Sequence, residues 1–550
     1  IRPSTLYRSG NSGNHRRFSR HPIFPSTFRR MANTWRFIVC PLPVASVHLT
    51  RLHPIAAARF TTFNTWILDL CVIGQRPVSR DSNFGPSMDR AAIFDAQTKA
   101  GIRMKPLVWA VLLQWLRIGI NAFVFLIAAR ALSLEQFGAF ATAFAMIKLT
   151  QGIHKAGIGE TVVIKSATSL RLHALFGLAL IAGIFLSTLY FLMAFGFGLA
   201  TSFYVLGLIP TVLGISAVSD GLLRKRLNIR ALALRTASAQ GIAAMVALWS
   251  LYAGAGVVAL VIFTVLNSTL SAIISIFLAG WIPTKFPAAK HIRLTFMTVL
   301  RISGRDVLNS GVMPLAQIGI GFFIGLPSAG AFQIATRVLS MLDALTLAPL
   351  RYLALPKFAS LKNPTAFNVE INQCLRLSAI CACWVWFGLA SSTPQVLGLV
   401  VGDTHALAVT PILQALIPLG LCAALGMPFT QALIARGASK LILRRAILTF
   451  GLSATVTIPM LKYSGAHVAI GLSLANTLVL SWFLREAFLK LSIHRSALIP
   501  ILPALLSGGI MLLTVSLTPL PLLGRITLGT VTYLLVLTAF QFKTRKWLLA

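Results

Sequence analysis

The chain has 550 residues, of which 56% are hydrophobic and only 11% are charged, and its mean hydropathy is +0.81. Soluble domains carry roughly 25% charged residues, so this composition excludes an ordinary soluble enzyme. Lysine and arginine number 49 against 12 acidic residues, which gives a formal net charge of +37. In a soluble protein this excess would indicate nucleic-acid binding, but the cytoplasmic loops of membrane proteins also collect basic residues. We therefore expect a membrane protein with no nucleic-acid partner.

Residues 1–104 differ in composition from the rest of the chain. Residues 1–88 in particular are rich in Arg, Ser, Pro and His and show no sustained apolar period. The favoured interpretation is a basic leader of low order, or a reading frame extended upstream of its true start, with Met88 and Met104 as candidate initiators. An organellar transit peptide and a basic arm that touches anionic lipid are the alternatives.

Fourteen apolar runs joined by short connections follow Lys105. A membrane-spanning helix needs about 20 mostly apolar residues, so each run is a candidate span. The predicted fold class is therefore an all-α polytopic membrane protein with about 14 transmembrane helices. The runs are 107–130, 137–154, 173–193, 196–219, 234–252, 255–281, 303–326, 329–350, 376–399, 407–433, 442–461, 466–484, 496–517 and 523–541.

The charges between the runs alternate along the chain. Connections after even-numbered runs carry basic clusters such as Arg224-Lys225-Arg226 and Arg444-Arg445. Connections after odd-numbered runs hold almost nothing basic, with Arg130, Lys462 and Arg525 as exceptions. Because basic residues concentrate in cytoplasmic loops, the pattern predicts that both termini are cytoplasmic.

A short pattern occurs twice and suggests an internal duplication. Gly138-Ala139-Phe140 after the first run has a counterpart in Gly330-Ala331-Phe332 after the seventh. Duplication predicts two pseudo-symmetric six-helix lobes with two C-terminal helices added. The predicted organisation is an N-terminal lobe at 105–282, a cytoplasmic connection at 283–302, a C-terminal lobe at 303–490, and helices 13 and 14 with a basic tail at 491–550.

Ionisable and amide side chains inside the apolar runs are the candidate site residues. A charge at mid-membrane depth costs about 2.5–3.5 kcal/mol or more, so each one indicates a protein-lined aqueous path. They form stripes at helical spacing on runs 1, 2, 7 and 8, the first two helices of each predicted lobe. The predicted substrate-binding residues are Arg117, Lys148, Arg305 and Arg337, and the polar or coupling candidates are Asn121, Asp306, Asn309 and Asp343.

A surplus of positive charge in this setting suits a substrate that bears phosphate. Arginine stays charged when buried and gives bidentate hydrogen bonds to phosphate oxygens. Structural roles are the alternatives for the same residues. Lys148 would extend to the cytoplasmic interface, Arg305 would pair with Asp306, and Arg337 would pair with Asp343. Arg117 would likewise have a structural partner.

Motifs for enzymatic chemistry are missing from the sequence. It contains neither a GxxxxGK[ST] loop nor an HExxH motif, and its six cysteines show no metal-ligand spacing. The longest connection between runs, about 351–375, is predicted to be cytoplasmic. A membrane glycan polymerase generally needs a sizeable extracytoplasmic loop, whereas a transporter needs only helices, a cavity and short loops. We expect a transporter rather than an enzyme, without a metal or organic cofactor.

Two stretches resemble polysaccharide biosynthesis proteins of the Wzx type, the O-antigen and exopolysaccharide flippases. The segment LIAARALSLEQFGAF at 126–140 is similar to the first helical hairpin of that family. The segment from Gly330 to Ser340, followed by Leu355-Pro356-Lys357-Phe358, is similar to its helix 7–8 region. The resemblance implies the multidrug/oligosaccharidyl-lipid/polysaccharide (MOP) exporter superfamily.

The resemblance also implies a task and partners. The protein would move an undecaprenyl-diphosphate-linked oligosaccharide for lipopolysaccharide, exopolysaccharide or capsule across the bacterial inner membrane by alternating access. Related lipid II flippases use arginines in the early helices for the diphosphate, which Arg117 matches in type and location. Proton or sodium coupling would use Asp306 or Asp343, and partners would include membrane lipid and the polysaccharide polymerase and export machinery. A cation or drug antiporter of the same superfamily and a membrane glycan polymerase are the alternatives.

Overall fold

A computed structural model describes residues 104–164, 168–196, 200–226, 229–283, 289–361, 363–493 and 501–548. The leader predicted at 1–104 lies, up to residue 103, outside the described residues. In the first part of the chain, a π-helix at Gly152–Gly159 follows the second helix and a 3-10 helix at Thr201–Leu208 precedes the fifth. The α-helices here are α1 Met104–Ala131, α2 Leu134–Gln151, α3 Glu160–Ile164, α4 Ser169–Gly196, α5 Ile209–Lys225, α6 Ile229–Tyr252 and α7 Val258–Ala279.

The second part of the described chain is also helical. Its helices are α8 Ala289–Ser310, α9 Val312–Phe323, α10 Leu326–Thr346, α11 Ala348–Ser360, α12 Pro364–Val401, α13 Asp403–Ala435, α14 Ser439–Met460, α15 Gly465–Leu491, α16 Leu502–Leu517 and α17 Leu522–Leu548. This architecture confirms the predicted all-α class. Among the described residues, nine helices are long and apolar enough to cross a membrane, and a bent pair, α10 with α11, would make ten. The chain is a multi-pass membrane protein, and the count of fourteen spans stays a prediction.

Two helices begin well before the apolar runs that predict them. Helix α8 begins at Ala289, inside the stretch predicted as a connection, and it ends at Ser310 where Gly311 separates it from α9. Likewise α12 begins at Pro364, well before the apolar run at 376–399, with Asn363 accepting a hydrogen bond from the Thr365 backbone amide. Hydropathy detects only the apolar part of a helix, whereas the cap and the first-turn proline mark its true start.

The start of α2 explains part of the duplicated segment. The Ser133 side chain accepts a hydrogen bond from the Gln136 backbone amide, and the Gln136 side chain accepts one from the Ser133 amide. This reciprocal capping box satisfies two backbone donors that would otherwise be unpaired. The sequence Ser-Leu-Glu-Gln therefore fixes where the first hairpin turns into α2.

Helices α2 and α10 cross at the two glycines of the repeated pattern. A Cβ atom added to Gly138 would collide with the carbonyl oxygen of Leu326, and one added to Gly330 would collide with the carbonyl oxygen of Leu134. Small residues allow membrane helices to approach this closely. The contact brings together one helix from each predicted lobe and places the candidate cations of α2 and α10 near each other.

Candidate functional site

A cavity of about 330 Å³ lies between α2, α9, α10, α11, α12 and α13. Its walls include the aromatic rings of Phe332 and Trp386, which are fully buried. Polar and charged side chains are concentrated on α10. The polar lining consists of Lys148, Gln317, Gln333, Thr336, Arg337, Ser340, Asp343 and Arg351.

Arg337 is held by neutral partners. Its Nη2 donates a hydrogen bond to Asn121 Oδ1 at 3.2 Å, and its guanidinium carbon lies 5.7 Å from the centre of the Phe125 ring. Within the described residues, no carboxylate forms a salt bridge with Arg337. Since a buried cation is normally paired, an arginine held by an amide and a ring keeps its charge available for a ligand.

Lys148 faces the same cavity from α2. Its Nζ lies 5.1 Å from the centre of the Phe144 ring, and its charge acts on Arg337 through space. In the described part of the chain it also lacks a salt-bridge partner. The predicted convergence of Lys148 and Arg337 is therefore observed, although their role in binding stays a prediction.

Asp343 also lines the cavity, but its partner differs from the one considered in the sequence. Arg351 donates to Asp343 Oδ1 at 2.9 Å, across a 50° bend between α10 and α11. The alternative in which Asp343 pairs with Arg337 is therefore wrong. Hydropathy assigns Arg351 to a cytoplasmic connection, because this residue lies beyond the apolar run. Eight residues span about 12 Å along a straight helix, so the sequence spacing gives no signal for this pair, which forms because the chain bends between α10 and α11.

Arg117 contributes to the site through its backbone. Its carbonyl oxygen accepts hydrogen bonds from Asn121 Nδ2 at 2.9 Å and from Gln240 Nε2 at 3.3 Å. The Arg117 side chain is exposed and does not line the cavity, but its charge acts on Arg337. Arg117 therefore lies beside the cavity, outside its described lining.

The candidates on α8 are not brought into the cavity lining. The side chains of Arg305 and Asn309 lie outside the described residues. The Asp306 carboxylate lies against Gly152 of the π-helix, and the Ser310 hydroxyl donates to the Asp306 carbonyl oxygen at 2.6 Å. Of the two predicted coupling carboxylates, only Asp343 thus faces the cavity.

A second, apolar groove of about 600 Å³ is lined by residues that neighbour the Arg337–Asn121 contact in the chain. Phe125 and Val338 line this groove. Phe125 lies one helical turn after Asn121, and Val338 directly follows Arg337, the two residues that form the hydrogen bond. Arg525 is the one charged residue among its described lining residues. Helices α1, α10, α12, α16 and α17 form the walls through residues such as Phe123, Leu126, Met341, Trp384, Met511 and Ile526.

No metal site is found in the part of the chain that the structure describes. There, no three His, Cys, Asp or Glu side chains are close enough together to hold a metal ion. The described cavity is suited to binding an anion through Lys148 and Arg337. It offers no arrangement of a nucleophile beside a base among its lining residues.

Comparison with known proteins places this arrangement in a family. The profile of a family described as polysaccharide biosynthesis protein matches residues 127–410, just over half of the chain. No curated protein matches the chain. A structure of the lipid II flippase MurJ in an inward closed conformation superposes with a TM-score of 0.68 at 16% identity, covering 80% of this chain and 99% of that one.

Two transporter structures are also similar. An inward-facing multidrug resistance MATE family transporter of the MOP superfamily gives a TM-score of 0.53 at 15% identity, covering 70% of this chain and 94% of its own. A MOP superfamily transporter from Pyrococcus furiosus gives 0.50 at 14% identity, with coverages of 70% and 96%. At these identities the similarity establishes the fold, which is that of MOP superfamily transporters.

Proposed function

Because the chain belongs to the polysaccharide biosynthesis protein family, we propose that it is a flippase that moves a polyprenyl-diphosphate-linked oligosaccharide across the bacterial inner membrane. One observation carries the proposal. Lys148 and Arg337 face one cavity, neither forms a salt bridge with a carboxylate among the described residues, and an apolar groove lies beside them. A substrate with an anionic head and a long hydrocarbon tail matches both surfaces.

The cationic cavity is suited to the diphosphate. Charge-assisted hydrogen bonds from Arg to phosphate are about twice as strong as neutral ones, and Lys adds a point charge. Arg337 donates only one described hydrogen bond, through Nη2, so further guanidinium donors are available to phosphate oxygens. Hydroxyl and amide side chains at Gln333, Thr336 and Ser340 would accept or donate hydrogen bonds to the adjoining sugar.

The apolar groove is suited to the prenyl chain. Its described lining is mostly aliphatic and aromatic and includes residues of α1 and α17. Phe125 belongs to the groove and also stacks on Arg337, so the groove begins where the cation lies. A diphosphate at Arg337 would therefore place its prenyl tail at the entrance of the groove.

The cavity charge argues against the antiporter alternative. A carrier of cationic drugs needs unpaired carboxylates, but the described lining has one carboxylate, Asp343, and Arg351 already pairs with it. A lipid-linked substrate is also in keeping with the similarity in fold to MurJ, a flippase of lipid II. We favour a glycan unit over a peptidoglycan precursor because this family is described as polysaccharide biosynthesis.

Transport would proceed by alternating access, with coupling at Asp343. The carboxylate faces the cavity and bridges the bend between α10 and α11 through Arg351. A proton or sodium ion at Asp343 would release Arg351 and relax the bend. The ion gradient would in this way bias the opening of the cavity toward one side.

The function is testable in a deletion strain. Without the protein, lipid-linked oligosaccharide should accumulate on the cytoplasmic face, and the periplasmic polymer should be lost. The wild-type gene should restore both, while a drug-susceptibility panel should stay unchanged. Normal exposure of the glycan on the periplasmic face in the deletion strain would refute a flippase. Accumulation of a single-repeat glycan already exposed there would instead indicate a polymerase.

A further inference from the structure

Asn121 lies between two arginines and its amide orientation is fixed by one of them. Its Nδ2 donates to the Arg117 carbonyl oxygen at 2.9 Å, which is one helical turn away. The amide oxygen must then point the other way, where it accepts from Arg337 Nη2 at 3.2 Å. Gln240 donates to the same Arg117 carbonyl at 3.3 Å, and this bond helps to fix the backbone segment.

The contact joins distant parts of the chain. Asn121 and Arg337 are 216 positions apart, on α1 and α10. Phe125, one turn after Asn121, places its ring 5.7 Å from the same guanidinium. The face of α1 that meets Arg337 thus orients this cation with one amide oxygen and one aromatic ring.

Neither of these partners carries a formal charge. An aspartate at position 121 would be nearly identical in shape and would hold Arg337 more strongly, because a carboxylate adds Coulomb attraction to the hydrogen bond. It would also cancel the charge of Arg337 before any anion arrived. An asparagine provides the geometry without that cancellation.

We propose that Asn121 is a neutral positioning residue for Arg337: it aims the guanidinium at the cavity and leaves its positive charge for the diphosphate of the substrate. This role rests on the proposed function. It concerns a residue that need not touch the substrate, since Asn121 acts through Arg337. It also predicts that one isosteric change lowers substrate affinity while the protein stays folded.

The test is Asn121→Asp in purified protein held in lipid nanodiscs, with farnesyl diphosphate as the probe. The carboxylate should pair with Arg337, and this gain should offset the loss of the hydrogen bond to the Arg117 carbonyl oxygen, so the thermal midpoint should stay close to that of the wild type. The affinity for farnesyl diphosphate should fall at least about tenfold, because one of the cavity cations is neutralised. A purely structural role predicts that a stronger bond to Arg337 leaves affinity unchanged or improves it.

Controls separate charge from general damage. Asn476→Asp introduces the same carboxylate into α15, where the Asn476 amide donates to the Leu472 carbonyl oxygen away from the described cavity lining. This variant should keep the wild-type affinity. If Asn121→Asp does not fold, Asn121→Ala replaces it. That variant frees the Arg337 side chain and should weaken binding about threefold or more through lost orientation.

The outcomes distinguish this inference from the proposed function. If the wild-type protein binds farnesyl diphosphate and Asn121→Asp binds it equally well, the positioning role is wrong and the flippase proposal stands. If the wild-type protein does not bind the probe, the diphosphate site itself is contradicted. A tenfold loss in Asn121→Asp, with retained thermal stability and an unaffected Asn476→Asp, supports the role.

Discussion

Gly138 and Gly330 meet where α2 crosses α10, and each lies against the backbone of the opposite helix. A Cβ on Gly138 would collide with the Leu326 carbonyl oxygen, and a Cβ on Gly330 with that of Leu134. The repeated Gly-Ala-Phe pattern therefore marks the helix crossing that brings Lys148 and Arg337 to one cavity. The duplicated sequence pattern thus corresponds to a physical contact between its two copies.

We expect Gly330→Ala to destabilise the protein. The added methyl group would collide with backbone atoms of α2. Backbone atoms cannot move away by a side-chain rotation, so α2 and α10 must separate. Overpacking of this kind costs about 1–3 kcal/mol. Thermal unfolding in detergent should show a clear drop in midpoint. Gly451→Ala in α14 is the matched control, because nothing lies within 4 Å of its added Cβ. Equal midpoints for the two variants would contradict the close crossing.

A buried ion pair in the first part of the chain should be sensitive to loss of one partner. Arg235 bonds to Asp220, and both side chains are only 15% exposed. Arg235 also donates to the Ser275 hydroxyl at 3.0 Å. Asp220→Ala leaves a buried guanidinium without its acid and should cost about 3–5 kcal/mol.

Replacing both members of the pair should restore much of that loss. The variant Asp220→Leu with Arg235→Met removes both charges, and such exchanges are often neutral or stabilising. Chemical denaturation of the single and double variants measures the difference. A double variant as unstable as Asp220→Ala alone would show that packing, rather than an unpaired charge, explains the loss.

Two side chains, Arg130 and His405, connect the end of α1 to the junction of α12 and α13 across the predicted lobes. Arg130 donates to the carbonyl oxygens of Leu399 and Val400, the second at 3.2 Å, and His405 Nε2 lies 3.1 Å from the Leu132 carbonyl oxygen. These groups lie at the end of the bundle that the charge pattern predicts as extracytoplasmic.

Removing the Arg130 contacts should loosen this end of the protein. Arg130 is exposed, so its hydrogen bonds contribute nearer the general range of about 0.5–1.5 kcal/mol, and Arg130→Ala should lower stability by that order. Hydrogen exchange at the C-terminal turn of α12 should increase as well. Arg444→Ala, which removes an exposed arginine on α14, should have neither effect. Unchanged exchange at α12 in Arg130→Ala would refute the contact.

Coupling at Asp343 gives a separate expectation. Asp343→Asn removes the carboxylate that pairs with Arg351 but keeps the side-chain shape. Stimulation of transport by an imposed proton or sodium gradient should be lost, while binding of a diphosphate lipid should persist because Lys148 and Arg337 are unchanged. Gradient-stimulated transport that matches the wild type would exclude Asp343 as the coupling residue.

The fold class followed from the sequence because long apolar runs have few structural solutions in a membrane. The helix boundaries did not follow from the sequence. Residues 289–302 and 364–375 are helical but combine charged and apolar side chains, so their mean hydropathy is too low to mark them as part of an apolar run. The positions of Lys148, Arg337 and Asp343 at the cavity were predictable, because intramembrane charges must face protein or water. The side chains that contact these residues were not predictable, because the Asn121–Arg337 hydrogen bond, for example, depends on how α1 packs against α10.

The most direct test of the central claim is a flipping assay with the purified protein in proteoliposomes. The substrate is a lipid-linked oligosaccharide, and an external glycan-modifying enzyme modifies only the molecules in the outer leaflet. We predict that the wild type transfers the lipid and that Arg337→Gln slows transfer at least about thirtyfold, since losing a buried charged hydrogen-bond partner costs about 2 kcal/mol or more. Arg337→Lys should retain part of the rate, because it keeps the charge and loses the bidentate geometry. A wild-type rate in Arg337→Gln would contradict the account.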